Sequence, residues 1–388
     1  MTPPRRGEYE VVIVGAGVIG LYTAYHLARA GVQKILVVDR GFLSNGASGR
    51  NGGGIRQQWE TQATLRLARE SVAAYRRFGR DLGYNVWFRQ GGYLFLAATE
   101  TELARLREVH RTVRSEGLPA EELSPERIHD RVPALSLDQV VGGTFLHSDG
   151  TLYPFPAVWG LYEAVRSLGV EVTLGVEATG AERDASGVTA ITTTAGRLAT
   201  HWIVNAAGGW SSDLARRVGL EPANVASRHE ILATEPLKPF LDPMIVRVGD
   251  GLYFSQTMRG EIVGGLTIAH PPGTAAGMPS SPAFLRSMAR ALVGLVPRLA
   301  PVGVLRAWSG FYDDTPDGLP IIGEGSGLPR FVQANGFGGH GLMLAPAATR
   351  RVAQVVLGQK SDLDPALFGP DRFRDAGRTA TIERLQLG

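Results

Sequence analysis

The chain has 388 residues, of which 44% are hydrophobic and 20% charged, and its formal net charge at pH 7 is only +3. This composition is typical of a soluble globular protein, and the length predicts two domains, with three as the alternative. No basic block is interleaved with aromatic residues, so a nucleic-acid partner is not expected.

Cysteine is absent from the chain. Its absence excludes disulfides, thiolate metal sites and cysteine nucleophiles, and it fits a reducing compartment. No metal centre is expected. The polar N-terminus precedes an apolar run, Val11–Leu21, that contains three glycines and is too short to span a membrane. We therefore expect a cytoplasmic protein with no membrane partner.

The chain opens with a βαβ pattern. Tyr9–Val14 is short, apolar and β-branched, as expected of a buried parallel strand, and Val18–Ala30 then has helical spacing. Lys34–Val38 is a second buried strand that leads into Asp39. Gly46–Gly54 has the composition of a glycine-rich loop rather than of a regular element.

The other elements follow from apolar periodicity and from glycine and proline punctuation. Helices are predicted over Thr61–Phe78, Glu100–Ser115, Pro125–Arg131, Ala157–Leu168, Pro282–Val296 and Ala345–Leu357. Strands are predicted over Gly91–Ala97, Val170–Leu174, Val188–Thr194, Gly196–His201, Trp202–Ala206, Gly251–Ser255, Glu261–Leu266 and Phe331–Ala334. Further strands are expected between residues 228 and 267.

The order of these elements predicts an α/β fold of two interleaved domains. A Rossmann-like parallel-sheet domain is expected to bind a nucleotide and to comprise residues 1–85, 140–222 and 320–388. A substrate domain on a mixed or antiparallel sheet is expected to comprise residues 86–139 and 223–319.

The first turn of the chain carries a dinucleotide fingerprint. Gly15, Gly17 and Gly20 form G-x-G-x-x-G between a strand and a helix, and Asp39 ends the next strand. The glycines allow a tight turn, a close approach to a pyrophosphate and helix packing, and the helix N-terminus favours the phosphates. Asp39 is expected to accept hydrogen bonds from a ribose. The motif by itself leaves NAD and FAD open.

Four segments together resemble the D-amino-acid oxidase superfamily, in the branch of sarcosine oxidases, glycine oxidases and proline dehydrogenases. They are Val11–Arg40, Gly46–Trp59, Trp202–Trp210 and Trp308–Pro346. The Gly-Ile-Arg-Gln-Gln run is most similar to the β subunits of heteromeric sarcosine oxidase and proline dehydrogenase. The resemblance implies FAD as cofactor and oxidation of a C–N bond beside a carboxylate.

The resemblance also implies which residues bind FAD. The expected cofactor-binding residues are Gly15, Gly17, Val18, Ile19, Gly20, Asp39, Arg40, Ser48, Gly49, Arg50, Asn51, Gly52, Val176, Ala206, Ala207, Gly208, Trp210, Gly310, Tyr312, Gly336, Gly338, Gly339, His340, Gly341, Leu342 and Met343. The loop Gly336–Gly341 is expected to present N–H groups to the electron-rich edge of the flavin.

Arg56, Tyr253, His270 and His340 are the expected catalytic residues. Arg56 matches the family arginine and suits a carboxylate, which a planar guanidinium binds through two parallel hydrogen bonds. Tyr253 and His270 match the aromatic residue and the histidine of the sarcosine oxidase substrate pocket, although a strand-end histidine with no chemical role is nearly as good a reading of His270. For His340, holding the loop and taking part in chemistry are equal alternatives.

Three positions depart from the family pattern. Gly310 stands where monomeric sarcosine oxidase attaches its flavin to a cysteine, which favours non-covalent FAD. Met343 replaces a lysine that adds charge at the carboxylate, so carboxylate binding depends more on Arg56. Leu266 replaces a lysine that promotes oxygen reduction, so the electron acceptor stays open between oxygen and another acceptor.

The resulting hypothesis is an FAD-dependent oxidation of a small amino acid that carries a carboxylate. Sarcosine or a similar secondary amine is the first choice of substrate, with hydride transfer to the flavin, hydrolysis of the imine and reoxidation by oxygen. The alternatives are a glycine or D-amino-acid oxidase, and an L-proline dehydrogenase subunit that uses another acceptor. A flavin-carrying chain that is inactive without a partner subunit, and a nucleotide-binding protein without redox chemistry, also stay open.

Overall fold

A computed structural model of the chain describes residues 4–275, 277–325, 327–374 and 383. The strands are β1 Glu8–Val14, β2 Ile35–Asp39, β3 Gly54–Ile55, β4 Tyr93–Ala97, β5 Glu121–Leu123, β6 Gly142–Leu146, β7 Gly150–Thr151, β8 Glu171–Leu174, β9 Ala178–Asp184, β10 Gly187–Thr193, β11 Gly196–Asn205, β12 Val225–Thr234, β13 Met244–Arg247, β14 Leu252–Gln256, β15 Ile262–Gly265, β16 Val304–Asp314, β17 Ile321–Glu324 and β18 Phe331–Asn335. The helices are α1 Val18–Arg29, α2 Gln62–Leu82, α3 Glu100–Ser115, α4 Pro125–Arg131, α5 Pro154–Ser167, α6 Ser211–Arg217, α7 Pro282–Leu295, α8 Gly341–Val356 and α9 Pro365–Phe368.

The first sheet has the strand order β17-β18-β11-β1-β2-β8, and the β9–β10 hairpin extends it from β11. The five strands from β18 to β8 are parallel, as the βαβ opening predicts. β2 and β18 bury nearly every side chain, because helices, among them α1 and α8, pack on the sheet. This sheet and its helices confirm the predicted Rossmann-like unit.

The second sheet has the order β16-β12-β15-β14-β13-β4-β6-β5. All its pairs are antiparallel except β13 with β4, so it is the predicted mixed sheet. A two-stranded sheet of β3 and β7 lies between the glycine-rich loop and the start of α5. Because β6 pairs with β4 and β5, we propose that the boundary predicted at residue 140 falls after Leu146.

Three predicted elements were wrong in their extent. Gly196–His201 and Trp202–Ala206 are not separate strands, because β11 is one strand that pairs with β10 at its start and with β1 further along. The last helix begins at Gly341, about one turn before the predicted Ala345.

Pro346 explains the misplaced start of α8. A proline inside a helix has no N–H for the carbonyl four residues earlier, here that of Leu342. The Tyr75 hydroxyl donates to this Leu342 carbonyl at 2.6 Å, so a side chain from α2 replaces the missing backbone bond. The proline therefore lies in the second turn of the helix rather than in the predicted first turn. Across the residues that the structure describes, no helix is both long and apolar enough to cross a bilayer.

Candidate active site

One cavity lies between the two sheets, where the carboxyl ends of β1, β2, β11 and β18 face side chains of β12, β13, β14 and β16. The predicted cofactor-binding residues that line it are Gly15, Gly17, Val18, Ile19, Asp39, Arg40, Ser48, Arg50, Asn51, Gly52, Val176, Ala206, Ala207, Gly208, Trp210, Gly310, Tyr312, Gly338, Gly339, Gly341, Leu342 and Met343. Tyr253 lines it as well. The predicted residues that lie outside its wall are Gly20, Gly49, Arg56, His270, Gly336 and His340.

The backbone of the first turn, between β1 and α1, is packed so closely that Gly15 and Gly20 have no room for a side chain. Gly15 has a φ of +112°, and a Cβ there would lie 2.3 Å from the Ala206 carbonyl oxygen. A Cβ on Gly20 would lie 1.9 Å from the carbonyl oxygen of Gly15. Gly20 does not line the cavity; its missing side chain instead lets α1 pack closely on the first turn. The turn and the N-terminus of α1 suit a pyrophosphate.

Asp39 lies at the end of β2 and lines the cavity. Its two carboxylate oxygens accept hydrogen bonds from the backbone N–H of Ala16 at 2.8 Å and of Gly41 at 2.7 Å. These bonds fix the carboxylate beside the first turn, and each oxygen keeps a lone pair for a ribose hydroxyl. The Arg40 guanidinium stacks on the Trp210 ring at 4.3 Å, which builds the same end of the wall.

The glycine-rich loop is held by its own polar side chains. The Asn51 amide donates to the Ser48 carbonyl at 2.9 Å, and Arg50 donates to the carbonyls of Asn45 at 2.7 Å and Ser309 at 3.0 Å. Ser48 also accepts from the Val18 N–H at 2.9 Å, which ties the loop to α1. Arg50 therefore connects the two halves of the cavity wall.

A buried carboxyl holds the loop after β18. Asp313 accepts hydrogen bonds from the Gly336 N–H at 2.6 Å and the Ser211 hydroxyl at 3.3 Å, and its own carbonyl accepts from the Gly338 N–H at 2.8 Å. Burial raises the pKa of the Asp313 carboxyl to about 7, against the opposing effect of these hydrogen bonds. No sequence motif singles out this acid, because its partners come from distant parts of the chain.

Arg56 is fully buried behind the cavity wall. Its Nη2 lies 3.2 Å from His340 Nε2, and its guanidinium stacks over the Trp59 ring at 4.2 Å. His340 caps the N-terminus of α8, beside the cavity-lining residues Gly339 and Gly341. The structure thus brings Arg56 and His340 together, although neither residue lines the cavity. Burial lowers the pKa of Arg56, while Tyr93 and nearby carboxylates, among them Asp149, act in the opposite direction.

Asp149 anchors the segment that carries Arg56. It is fully buried and accepts from the Gln57 N–H at 2.8 Å, the Gln57 amide at 3.1 Å and the Gln58 amide at 3.1 Å. Burial raises its pKa to about 7, while the glutamines and Arg56 act in the opposite direction. A lone aspartate after a turn gave no reason to single it out in the sequence.

Asp149→Asn is expected to change how stability depends on pH. Between about pH 4 and pH 7 the folded protein holds a proton on Asp149 that the unfolded chain has released, so this carboxyl lowers the free energy of unfolding as the pH rises. The variant lacks this titration. The destabilisation caused by the substitution should therefore be greater at pH 5 than at pH 8, by about 3 kcal/mol. Denaturant unfolding at both values measures this, with exposed Asp242→Asn as control; an equal cost at both would contradict it.

Aromatic side chains of the second sheet form the roof of the cavity. The hydroxyl groups of Tyr253 and Tyr312 are hydrogen-bonded to each other, and burial raises the pKa of both, that of Tyr312 to about 12. The His229 ring stacks on Tyr312 with a centroid distance of 3.7 Å and an interplanar angle of 14°. Tyr253 and Tyr312 thus line the cavity together with His229, which was not among the predicted residues.

His270 lies on the opposite side of the second sheet. Its Nδ1 is 2.7 Å from Arg228 Nη2, and its Nε2 is 3.8 Å from a carboxylate oxygen of buried Glu230. Its burial and the neighbouring Arg228 lower the pKa of His270. The structure does not bring it to the cavity wall, so the strand-end reading of His270 fits this position better than a substrate contact.

The family model for FAD-dependent oxidoreductases, DAO, matches residues 10–355. That span contains the first turn, the glycine-rich loop, the aromatic roof and the start of α8. The chain belongs to the DAO family. It is accordingly an FAD-dependent amino-acid oxidoreductase, as the four resembling segments predicted.

Relatives of this DAO-family chain match it over almost its whole length. It is 30% identical over 382 residues to sarcosine oxidase subunit beta of an Arthrobacter species, covering 96% of this chain and 92% of that one. It is 28% identical to sarcosine oxidase subunit beta of Rhodobacter capsulatus, with 96% and 91% covered.

Two solved DAO-type structures share the fold. L-proline dehydrogenase from P. horikoshii superposes with a TM-score of 0.88 at 28% identity, covering 95% of this chain and 98% of that one. Glycine oxidase from Geobacillus kaustophilus superposes with a TM-score of 0.87 at 26% identity, covering 95% and 99%. The α/β fold predicted from the sequence is thereby confirmed.

The residues present fit the FAD that the family requires. A Cβ would fill the first turn, Asp39 is fixed beside it, and the N-terminus of the 16-residue helix α8 has no side-chain cap and adjoins the cavity. The first turn and Asp39 would hold the pyrophosphate and ribose. The start of α8 would place the positive end of a helix dipole near the flavin ring.

Proposed function

We propose that this protein oxidises the C–N bond of a small amino acid, with sarcosine or a similar secondary amine as substrate and with FAD held without a covalent bond. The observation that carries the proposal is that the dinucleotide turn and the aromatic roof face the same cavity. The resemblance to two sarcosine oxidase β subunits over 96% of the chain supports the choice of substrate.

The substrate carboxylate is assigned to Arg56. Because the guanidinium is already buried, binding a carboxylate costs it little further desolvation. Two parallel hydrogen bonds would then fix the position of the substrate α-carbon. Arg56 now contacts His340, which stands beside the cavity-lining Gly339. The proposal therefore includes a turn of the guanidinium from His340 towards the cavity when a carboxylate binds.

The flavin, when bound, supplies the hydride acceptor. The protein positions the substrate with its C–H towards that acceptor, and the roof of Tyr253, Tyr312 and His229 keeps water away from the reacting bond. The N-terminus of α8 stabilises negative charge at the edge of the cavity. The imine product then leaves and is hydrolysed by water.

Non-covalent binding of FAD is supported by the residues available. Gly310 lines the cavity, a Cβ there would lie 3.3 Å from Arg50 Cβ, and the chain has no cysteine. No histidine stands within Gly46–Gly54 either. Neither attachment that the resemblance suggested has a side chain to form it.

Oxygen is the proposed electron acceptor, and a dehydrogenase is the second candidate. Leu266 is 8% exposed and packs in the second sheet, so it offers no cation to a reduced flavin. The likeness to L-proline dehydrogenase at 28% identity favours this second candidate, with L-proline as substrate. The relatives named as β subunits favour a partner subunit, whether the protein is an oxidase or a dehydrogenase.

Anaerobic mixing with a substrate panel tests the proposal. Sarcosine is expected to bleach the bound flavin faster than glycine, L-proline or D-amino acids, and admitted air should restore its colour. Bleaching by L-proline alone would overturn the choice of substrate, and slow recovery in air would favour the dehydrogenase. Failure of every amino acid to bleach the flavin would refute the proposed function.

A further inference from the structure

Side chains of β12 alternate between the cavity and the far side of the second sheet. His229 and Ile231 line the cavity. Arg228 contacts His270 on the other side, as does Glu230, which is buried and accepts from the Ser281 hydroxyl at 2.9 Å. This period of two is that of a β-strand. It makes His229 the one histidine among the described residues that line the cavity.

The position of His229 is fixed by its neighbours. It pairs in register with Gly310, which also lines the cavity. The imidazole stacks on Tyr312 at 3.7 Å, and Tyr312 is bonded in turn to Tyr253. No described residue forms a hydrogen bond with its ring nitrogens, and neither nitrogen is among the fully enclosed polar atoms that lack a partner, so the edge of the ring reaches the cavity. A nitrogen of this ring is therefore available to a ligand.

His229 carries no charge at neutral pH. Burial, and to a lesser degree His270, lowers its pKa to about 4. A neutral imidazole has one nitrogen that donates and one that accepts a hydrogen bond. In a site that binds an amino acid, an uncharged acceptor does not repel the amine, as an imidazolium would.

We propose that His229 contacts the substrate amine, with its neutral imidazole accepting a hydrogen bond from the substrate N–H. This inference rests on the proposed function. Hydride loss from carbon needs the nitrogen lone pair, so the amine must be unprotonated when it reacts. His229 orients that amine under the roof, opposite the carboxylate end held by Arg56, and the ammonium proton leaves to water before the C–H bond breaks.

Two isosteric carboxylates separate the amine contact from the carboxylate contact. Pyrrole-2-carboxylate has a ring N–H and furan-2-carboxylate has none, and neither is an amino acid that the flavin oxidises. Binding is measured by the change that each causes in the absorption spectrum of the oxidised flavin. The wild-type protein is expected to prefer pyrrole-2-carboxylate about tenfold, the value of one hydrogen bond.

His229→Phe keeps a flat ring against Tyr312 and removes both nitrogens. It should abolish the preference while changing the affinity for furan-2-carboxylate less than about threefold. His229→Gln, whose amide oxygen accepts a hydrogen bond, should restore part of the preference. His270→Phe, the matched control, should keep it in full. His229→Leu is measured in parallel, so that a variant that fails to bind FAD does not decide the test.

The outcomes distinguish the two proposals. If His229→Phe or His229→Leu binds both carboxylates and keeps the tenfold preference, the role of His229 is overturned and the proposed function stands. If neither carboxylate changes the wild-type spectrum, the carboxylate site of the proposed function fails, and the role of His229 fails with it.

Discussion

Gly20→Ala is expected to leave the protein without FAD. The new Cβ would lie 1.9 Å from the Gly15 carbonyl oxygen and 3.2 Å from the Ile13 side chain. Gly15 has little room to yield, since its φ is +112° and a Cβ built on it would itself lie 2.3 Å from the Ala206 carbonyl oxygen. The start of α1 must move away from β1, and the surface that would hold the pyrophosphate is lost.

The measurement is the FAD content of purified protein, read from the flavin released on heat denaturation. We expect a fall of about tenfold, because overpacking a close-packed site costs about 1–3 kcal/mol, occasionally more, and about 1.4 kcal/mol corresponds to a factor of ten. Gly294→Ala in α7 is the control, since a Cβ there meets nothing within 4 Å. It should hold as much FAD as the wild type. Normal FAD in Gly20→Ala would show that this turn does not bind the cofactor.

The same measurement tests how the wild-type flavin is attached. All of it should remain in the supernatant after the denatured protein is removed, because Gly310 and the glycine-rich loop provide no attaching side chain. Flavin that stays with the precipitated chain would contradict non-covalent binding.

The opening of the fold could be predicted because its determinants are local. In β1, α1 and β2 each residue's role depends on neighbours within a few positions: apolar strands, a glycine turn and one terminal acid. The long antiparallel pair of β12 and β16 could not be predicted in the same way. Val304 and Leu305 of β16 are 46% and 64% exposed, so the strand lacks a clean apolar alternation, and its pairing depends on a chain segment about 80 residues away.

The residues of the candidate site likewise divide into those with local determinants and those with long-range ones. Residues of the first turn and the glycine-rich loop follow from their own short motifs. His229 and Asp149 do not. His229 belongs to the site because β12 turns that side chain towards the cavity. Asp149 belongs to it because it binds side-chain amides that are 91 and 92 residues away in the sequence. The resemblance chose His270 from its order along the chain. The alternation of β12 instead places His229 in the cavity and leaves His270 behind the sheet.

Arg56→Met is expected to raise the KM for every carboxylate substrate at least about 30-fold, with a much smaller effect on FAD content. Loss of a buried, charge-assisted partner costs about 2–5 kcal/mol of binding, which corresponds to factors of this size. Methionine keeps apolar contact with Trp59 and Phe95, whose rings lie 4.2 and 5.3 Å from the guanidinium carbon. It therefore separates the loss of charge from the loss of packing.

The control is Arg66→Met, which removes an exposed arginine paired with Glu116 at 2.9 Å and should leave KM unchanged. Arg56→Lys is informative as well, because an ammonium keeps the charge but cannot form two parallel hydrogen bonds. It should recover only part of the lost affinity, and the binding of furan-2-carboxylate should weaken in the same order, from wild type through Arg56→Lys to Arg56→Met. If KM and furan-2-carboxylate binding were unchanged in Arg56→Met, the carboxylate would bind elsewhere, and Arg56 would serve only to hold His340 and the start of α8.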